Sequence, residues 1–399
     1  MTKRLALLLL LLLLPMLPVT GRRLPRYPFV KTRENTLQLP AGPSAELSFF
    51  FRKLDTLLAG GRTDVRILHV GGSHVQGGTF PDRLRTRFLS LRYGMDGGRG
   101  LVFPFSAAST NTPVSYNSSY RGAWDSSSCL KGADVELGLT GMVATAQDTS
   151  ARVFIDLAPR EGRVLHHRYT FNRVDVMGGG SLVPYLLLEG KDTVRGVVGP
   201  ELVHFDLPYY TDWLQLAFEG KGIYQLRGLY LDKASGGFSL SEAGVNGAST
   251  RSWLQCDKWE EDLRRVMPDL IIFSIGINDI QGSEFDVVRF KAHYRELIRR
   301  ARGVNPRCAI LFSGINDSWR RHYGVNDHTA QAQAAFQDLA REYKAAFWDW
   351  YRVMGGQGSM AQWQEAGLAQ ADKIHFTPDG YRLVGDLLFD AIMDEYHRR

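Results

Sequence analysis

Cysteine is scarce in this 399-residue chain: Cys129, Cys256 and Cys308 are all there are, and they form neither a CxxC pair nor a ligand cluster. That excludes a disulfide-built scaffold and a thiolate metal site, and leaves room for at most one disulfide whose partners the sequence does not choose. Cys308 precedes a core-strand pattern and reads as a buried thiol. The ten histidines contain no HExxH or similarly spaced ligand set, and the adjacent His166-His167 reads as strand surface, so neither a metal nor a cofactor is expected. Long apolar runs are missing too, except at the start. There Lys3-Arg4, the apolar stretch from Leu5 to Leu14 and the segment Pro15 to Gly21 have the three regions of a secretory leader. The stretch is too short for a typical membrane span. We expect cleavage near Gly21 and a periplasmic or secreted product, with a retained anchor as the alternative.

Positive charge is present without being concentrated. The formal net charge is +6, but Arg299-Arg300, Arg320-Arg321 and Arg398-Arg399 stand isolated among acids, so no nucleic-acid footprint forms. A basic exported protein suits an anionic envelope polymer or peripheral contact with a membrane surface, and scattered solvated charge explains the balance equally well. No obligate protein partner is implied.

What the chain does have is four short polar segments spread along its length: Gly71-Gly72-Ser73-His74, Gly244-Val245-Asn246-Gly247, Gly276-Ile277-Asn278-Asp279 and Asp372-Lys373-Ile374-His375. A serine hydroxyl becomes a nucleophile when an imidazole takes its proton, and that imidazole must be held by an acceptor on its other nitrogen. Asp372 and His375, three residues apart, fall on one side of a single turn and supply both parts for Ser73. The oxyanion needs donors where charge develops: the Ser73 amide, the Gly247 amide and the Asn278 side chain. Local context agrees. Residues 65–70 read as a strand ending at Gly71-Gly72, and residues 269–275 read as a buried parallel strand followed directly by Asn278. Thr377-Pro378 reads as an N-cap with proline at the first helical position, fixing His375 just before a terminal helix. His74 and Gln76 are candidates for shaping the first loop or contacting substrate. A second Ile-Asn-Asp, Ile315-Asn316-Asp317, follows the strand pattern of residues 309–312 and reads as the next strand-end loop lining the cleft.

The order Ser, Gly, Asn, His resembles the SGNH/GDSL hydrolase superfamily, whose name-giving residues would be Ser73, Gly247, Asn278 and His375. The resemblance implies a cofactor-independent serine esterase with the triad Ser73, Asp372 and His375. One position departs from the usual Gly-Asp-Ser: Gly72 stands where the aspartate would, which opens the alternative of a catalytically silent glycan-binding or scaffold protein.

The first two segments lie far further apart than one βα unit requires. Between them run short alternating stretches such as residues 151–157, 182–188 and 213–218, punctuated by Gly, Asn and Asp, which argue for a β-sandwich module. The expected fold class is α/β: a three-layer α/β/α, flavodoxin-like parallel sheet with this module inserted. The divisions are a leader over 1–21, a linker or surface arm over 22–45, hydrolase parts over 46–95 and 236–399, and the module over 96–235. An insertion at that point, together with Ser73-His74, is similar to the bacterial peptidoglycan O-acetylesterase branch, where the inserted module resembles a carbohydrate-binding one. The implied substrate is an O-acetylated glycan, peptidoglycan first, with another polysaccharide or a lipid as alternatives. Tyr116, Tyr120, Trp124, Tyr209, Tyr210 and Trp213 are candidates for stacking on sugar rings, most of them expected in the sandwich core.

Overall fold

The computed structural model describes residues 27–131, 135–158, 168–188, 192–320 and 323–399. The leader segment 1–21 and the pair His166-His167 lie outside the described residues.

Five parallel strands and one antiparallel edge strand make the central sheet. Its order is Leu37–Gln38, Ala346–Trp348, Ala309–Phe312, Leu270–Ser274, Val65–Gly71 and Phe238–Gly244. Along the chain, the strand that follows Val65–Gly71 pairs on one side of it and the next pairs on the other. That reversal is the switch point at which α/β sheets open a crevice beyond their carboxyl ends. Leu270–Ser274 is buried throughout, because both faces are covered. On one side lie the helices Ala45–Leu58, Thr79–Leu89 and Pro378–Arg398, which share a core with Val65, Ile67, Leu270 and Ile272. On the other lie Trp259–Val266, Val287–Val304 and His328–Tyr343, packed on Leu68, Val70, Ile271 and Phe273. The alternation of Ile67 and Leu68 between the two cores is the period-two geometry of a strand.

Residues 22–45 do not form a free arm where they are described. Leu37–Gln38 pairs with Ala346–Trp348, and Asn35 donates to the Leu387 carbonyl at 2.9 Å and accepts from the Trp348 indole at 2.8 Å. Val30 and Leu37 supply the apolar anchors that the proline- and arginine-rich composition concealed.

Two antiparallel sheets occupy the interval between Val65–Gly71 and Phe238–Gly244. One runs in the order Thr193–Arg195, Val183–Leu187, Trp213–Glu219, Arg152–Asp156 and Asn117–Arg121. The other contains Val197–Val198, Leu202–Thr211, Phe171–Gly180, Tyr224–Asp232, Met142–Ala146 and Trp124–Ser128, with Gly100–Val102 beside Tyr224–Asp232. Val153 and Leu216 of one sheet and Val174 and Leu226 of the other belong to one apolar core, which continues into the layer under the central sheet. Of the aromatics considered for sugar stacking, Tyr116 is buried, whereas Tyr120, Tyr209 and Tyr210 are exposed and Trp124 and Trp213 half-buried, so core packing claims fewer of them than expected.

Buried ions join these sheets to the hydrolase core. Arg85 and Arg99, with side chains 1% and 0% exposed, both bind Glu242, and Arg85 also binds Asp82 at 2.8 Å. Ser115 accepts from Arg99 at 2.6 Å, and Tyr169 donates to Asp82 at 3.3 Å. The two arginines and two carboxylates balance, so removing any one of these four would leave an unpaired buried charge. Arg227 makes a second weld to Asp262 and Glu261, and Arg265 a third to Asp175 and Asp232. All three cysteines are buried free thiols, and Cys129 of the inserted segment lies against Cys256 of the core.

Candidate active site

Register brings three of the four polar segments together. Gly71 is aligned with Gly244 on one side and Ser274 on the other, so the loops carrying Ser73, Gly247 and Asn278 leave from one row of the sheet. A Cβ on Gly71 would stand 2.3 Å from Val75 Cγ2 and 2.9 Å from the Ser274 carbonyl, so the sharp exit from the strand requires glycine there. Ser73 is the first residue of the short helix Ser73–Gln76, and its amide is among those a helix start leaves without an internal acceptor.

The fourth segment arrives from the far end of the chain. Ser73 Oγ lies 2.8 Å from His375 Nε2, and His375 Nδ1 lies 2.7 Å from Asp372 Oδ2. Asp372 Oδ1 accepts the Ile374 and His375 amides, each at 2.9 Å, so one carboxylate both builds the turn and holds the ring. Burial pushes the Asp372 carboxyl up, but the hydrogen bonds from the His375 ring and the two amides outweigh it and hold the group below 3.8. A hydroxyl on the outer nitrogen of an imidazole whose inner nitrogen is fixed by a carboxylate is an arrangement that activates serine. Thr377 accepts from the Gly380 amide at 3.3 Å and Pro378 opens the helix Pro378–Arg398, which stops the His375 loop at a fixed point.

Asn278 donates through Nδ2 to the Ala248 carbonyl at 2.8 Å, which leaves its second N–H for another acceptor. Gly247, at φ +81° in the left-handed region, makes the turn that precedes Ala248. A Cβ on Gly72 would meet Asn278 Nδ2 at 3.4 Å and the Ala248 carbonyl at 3.5 Å. With glycine at 72, Asn278 therefore reaches the backbone beside Ser73 with no side chain between them. Asp279 ties the same two loops a second time, accepting from the Thr250 amide at 3.0 Å and its hydroxyl at 2.6 Å.

His74 and Gln76 are 4% and 1% exposed and pack in the wall of the site. His74 Nδ1 pairs with the Tyr381 hydroxyl at 2.7 Å. Gln76 accepts from the Asn246 amide at 2.6 Å and donates to Thr110 and Asn111, and Asn246 in turn donates to Asn111 Oδ1 at 2.6 Å. The inserted segment thus touches the Gly247 loop at Asn111, and again at Leu130, whose Cδ1 would lie 3.6 Å from a Cβ on Gly247. Sequence reasoning missed Tyr381, Asn111, Leu130 and Thr250. Their contacts are long-range, and nothing in their local pattern marks them.

Among the described residues no group of three or more His, Cys, Asp or Glu could hold a metal ion, and no helix is long and apolar enough to cross a membrane.

Comparison with known proteins gives a family resemblance and a shared fold. Residues 223–383 match the GDSL-like lipase/acylhydrolase family, a segment that includes Gly247, Asn278, Asp372 and His375 but not Ser73. No curated protein matches the chain. A solved structure of a peptidoglycan O-acetylesterase shares the fold with a TM-score of 0.77 at 23% identity, covering 91% of this chain and 99% of that one. A putative acylhydrolase from Bacteroides fragilis covers 39% of this chain and 76% of its own at 18% identity and a TM-score of 0.33. An acetyl xylan esterase covers 39% and 81% at 17% identity and a TM-score of 0.32. Residues 223–383 thus resemble a GDSL-like acylhydrolase, which supports a carboxylic ester hydrolase, and the match to the peptidoglycan O-acetylesterase shows the fold.

Proposed function

We propose that this acylhydrolase removes O-acetyl groups from a cell-envelope or extracellular glycan, peptidoglycan first, after export. The observation that carries the chemistry is the line from Ser73 Oγ through the His375 ring to the Asp372 carboxylate, at 2.8 and 2.7 Å. Ser73 Oγ attacks the acetyl carbonyl carbon while His375 Nε2 takes its proton. The negative charge that forms on the carbonyl oxygen is met by the Ser73 and Gly247 amides and by Asn278. Collapse breaks the bond to the sugar oxygen, which leaves with the proton held by His375. Water then attacks the acetyl-Ser73 ester as His375 accepts its proton, releasing acetate and restoring the serine.

Support for a glycan comes from the likeness to the peptidoglycan O-acetylesterase, which extends over 91% of the chain and so is not confined to the hydrolase core. Export rests on the leader-like start, Lys3-Arg4 and the apolar stretch behind it. The deciding experiment is turnover of a small chromogenic acetyl ester and of O-acetylated peptidoglycan by wild type and Ser73→Ala, with labelling by a serine-reactive organophosphonate. Wild type should release acetate from both and take up the label. A folded Ser73→Ala protein should do neither, and one that turns over at the wild-type rate would overturn the mechanism.

A further inference from the structure

We propose that the loop from Gly314 to Trp319 is a cradle that fixes the His375 ring, with Asn316 as its positioning residue. The inference rests on the proposed role of His375 as general base.

The turn that presents His375 is strained. Lys373 sits at φ 55°, in the left-handed region, which residues other than glycine rarely adopt. That conformation is what lets Asp372 take the Ile374 and His375 amides with one oxygen and the His375 ring with the other. Such strain persists only where surrounding contacts over-determine it. Within the turn, the Gln370 amide donates to the His375 carbonyl at 2.8 Å and the Lys373 amide to the Gln370 carbonyl at 3.1 Å; from outside it, one loop supplies three further contacts. Asn316 Nδ2 donates to the Ile374 carbonyl at 3.1 Å, and the Trp319 amide donates to the Lys373 carbonyl at 3.1 Å. The Lys373 ammonium lies 3.6 Å from the centroid of the Trp319 ring. Two successive carbonyls of the strained turn and its side chain are therefore all held from the same side.

The cradle is itself rigid. Asn316 and Asp317 are 0% exposed; Asn316 Nδ2 also donates to the Asp317 carbonyl at 2.8 Å, and the Asp317 carboxylate accepts the Met360 amide at 3.0 Å. His74 closes the other side, its ring centroid 5.3 Å from that of His375. Burial, then the neighbouring His375, push the His74 ring down to about 3, so it stays neutral and sets no fixed positive charge against the imidazolium that His375 must become. The Asn316 side chain pulls that pKa the other way, which makes it a neighbour of both histidine segments.

The test uses Asn316→Asp and Asn316→Ala in the full chain. Asp matches Asn in size but, ionised, has no N–H to give the Ile374 carbonyl. Three quantities are read: kcat and KM for a small acetyl ester, the His375 ring resonances by nitrogen-15 NMR, and the melting temperature. We expect kcat to fall by about 10- to 100-fold, the scale of a misplacement near 1 Å. KM should stay within about twofold and the His375 resonances should shift while the protein remains folded. Lys373→Gly, on a half-buried turn, relieves the strain and removes the contact with Trp319; it should lower kcat less, again with KM held and the resonances moved. Wild-type kcat and unmoved His375 resonances in a folded Asn316 variant would overturn the cradle. Should neither Asn316 variant fold, the same result in Lys373→Gly overturns it. Failure of the esterase reading is seen separately, as wild type without turnover on any ester, and the NMR readout still judges the cradle.

Discussion

Gly276-Ile277-Asn278-Asp279 and Gly314-Ile315-Asn316-Asp317 have the same four residues, yet they do different things. Each leaves the carboxyl end of a parallel strand, and each begins with a glycine at positive φ, 136° and 62°. The first loop opens on the cleft: Asn278 is half-buried and reaches Ala248, and Asp279 reaches Thr250. The second is sealed: Asn316 holds the Ile374 carbonyl, and Asp317 holds Met360. The difference comes from the order of strands. Leu270–Ser274 lies beside Val65–Gly71, so its loop faces the serine and the Gly247 turn. Ala309–Phe312 lies one place further out, where the segment carrying Asp372 and His375 covers its loop. A tetrapeptide sets which hydrogen bonds are available, and its place in the sheet sets which partner receives them.

Asn278→Ala should make the sharpest break between the two loops. If its free N–H stabilises the oxyanion, kcat should fall by about 10²–10³, the usual effect of one such donor, with KM and melting temperature little changed. Steady-state kinetics on a small acetyl ester checks this. A wild-type kcat would reduce Asn278 to a staple for Ala248 and erase the functional contrast with Asn316.

How much of this was legible depends on the range of the interaction. Ala309–Phe312 and Leu270–Ser274 were readable because a strand covered on both faces is apolar at every position. The pairing of Asp372 with His375 was readable because it is closed within one turn. Asn316 was read as a cleft-lining residue because its partner, Ile374, is 58 residues away and local pattern has no reach to it. Buried arginines were hidden for another reason. Arg85 lies in a helix that looks amphipathic, and only the meeting of Arg85, Arg99 and Glu242, which belong to three separate parts of the chain, shows that a neutral ion set fills the junction. The edge strand Leu37–Gln38 escaped because two residues carry no periodicity.

Asp279 offers a thermodynamic version of the same contrast. Burial pushes its carboxyl up from 3.8 to about 6, against the hydrogen bonds from Thr250. A carboxyl whose folded pKa is raised binds its proton more tightly in the native state. Its contribution to stability is therefore fully present below pH 3.8 and is lost as pH rises through about 6. Asp279→Asn has no such proton to lose. Measured by urea unfolding across that window, the stability of the variant relative to wild type should grow with pH, by up to about 3 kcal/mol. Parallel curves would show that Asp279 carries no such shift, and that its bonds to Thr250 are the whole of its role.

The smallest expected effect lies where the Gly247 turn, to which the first loop is tied through Ala248, meets the inserted segment. Leu130 is 46% exposed, yet its Cδ1 would stand within 3.6 Å of a Cβ on Gly247, and Asn111 grips Asn246 beside it. The second Ile-Asn-Asp loop, packed under the His375 turn, is held by Ile374 and Met360, and among the described residues none of its hydrogen bonds goes to the inserted segment. If a polymeric substrate runs past Gly247 along Leu130 and a small acetyl ester does not, the two substrates should respond differently to a change at Leu130. Truncating a half-exposed leucine removes only part of the roughly 1.5–3 kcal/mol that full burial of such a side chain is worth. Leu130→Ala should accordingly raise KM for O-acetylated glycan several-fold while leaving kcat and KM for the small ester within experimental scatter. Equal changes on both substrates would mean that Leu130 shapes the Gly247 turn itself, and that the inserted segment supports that turn without touching the substrate.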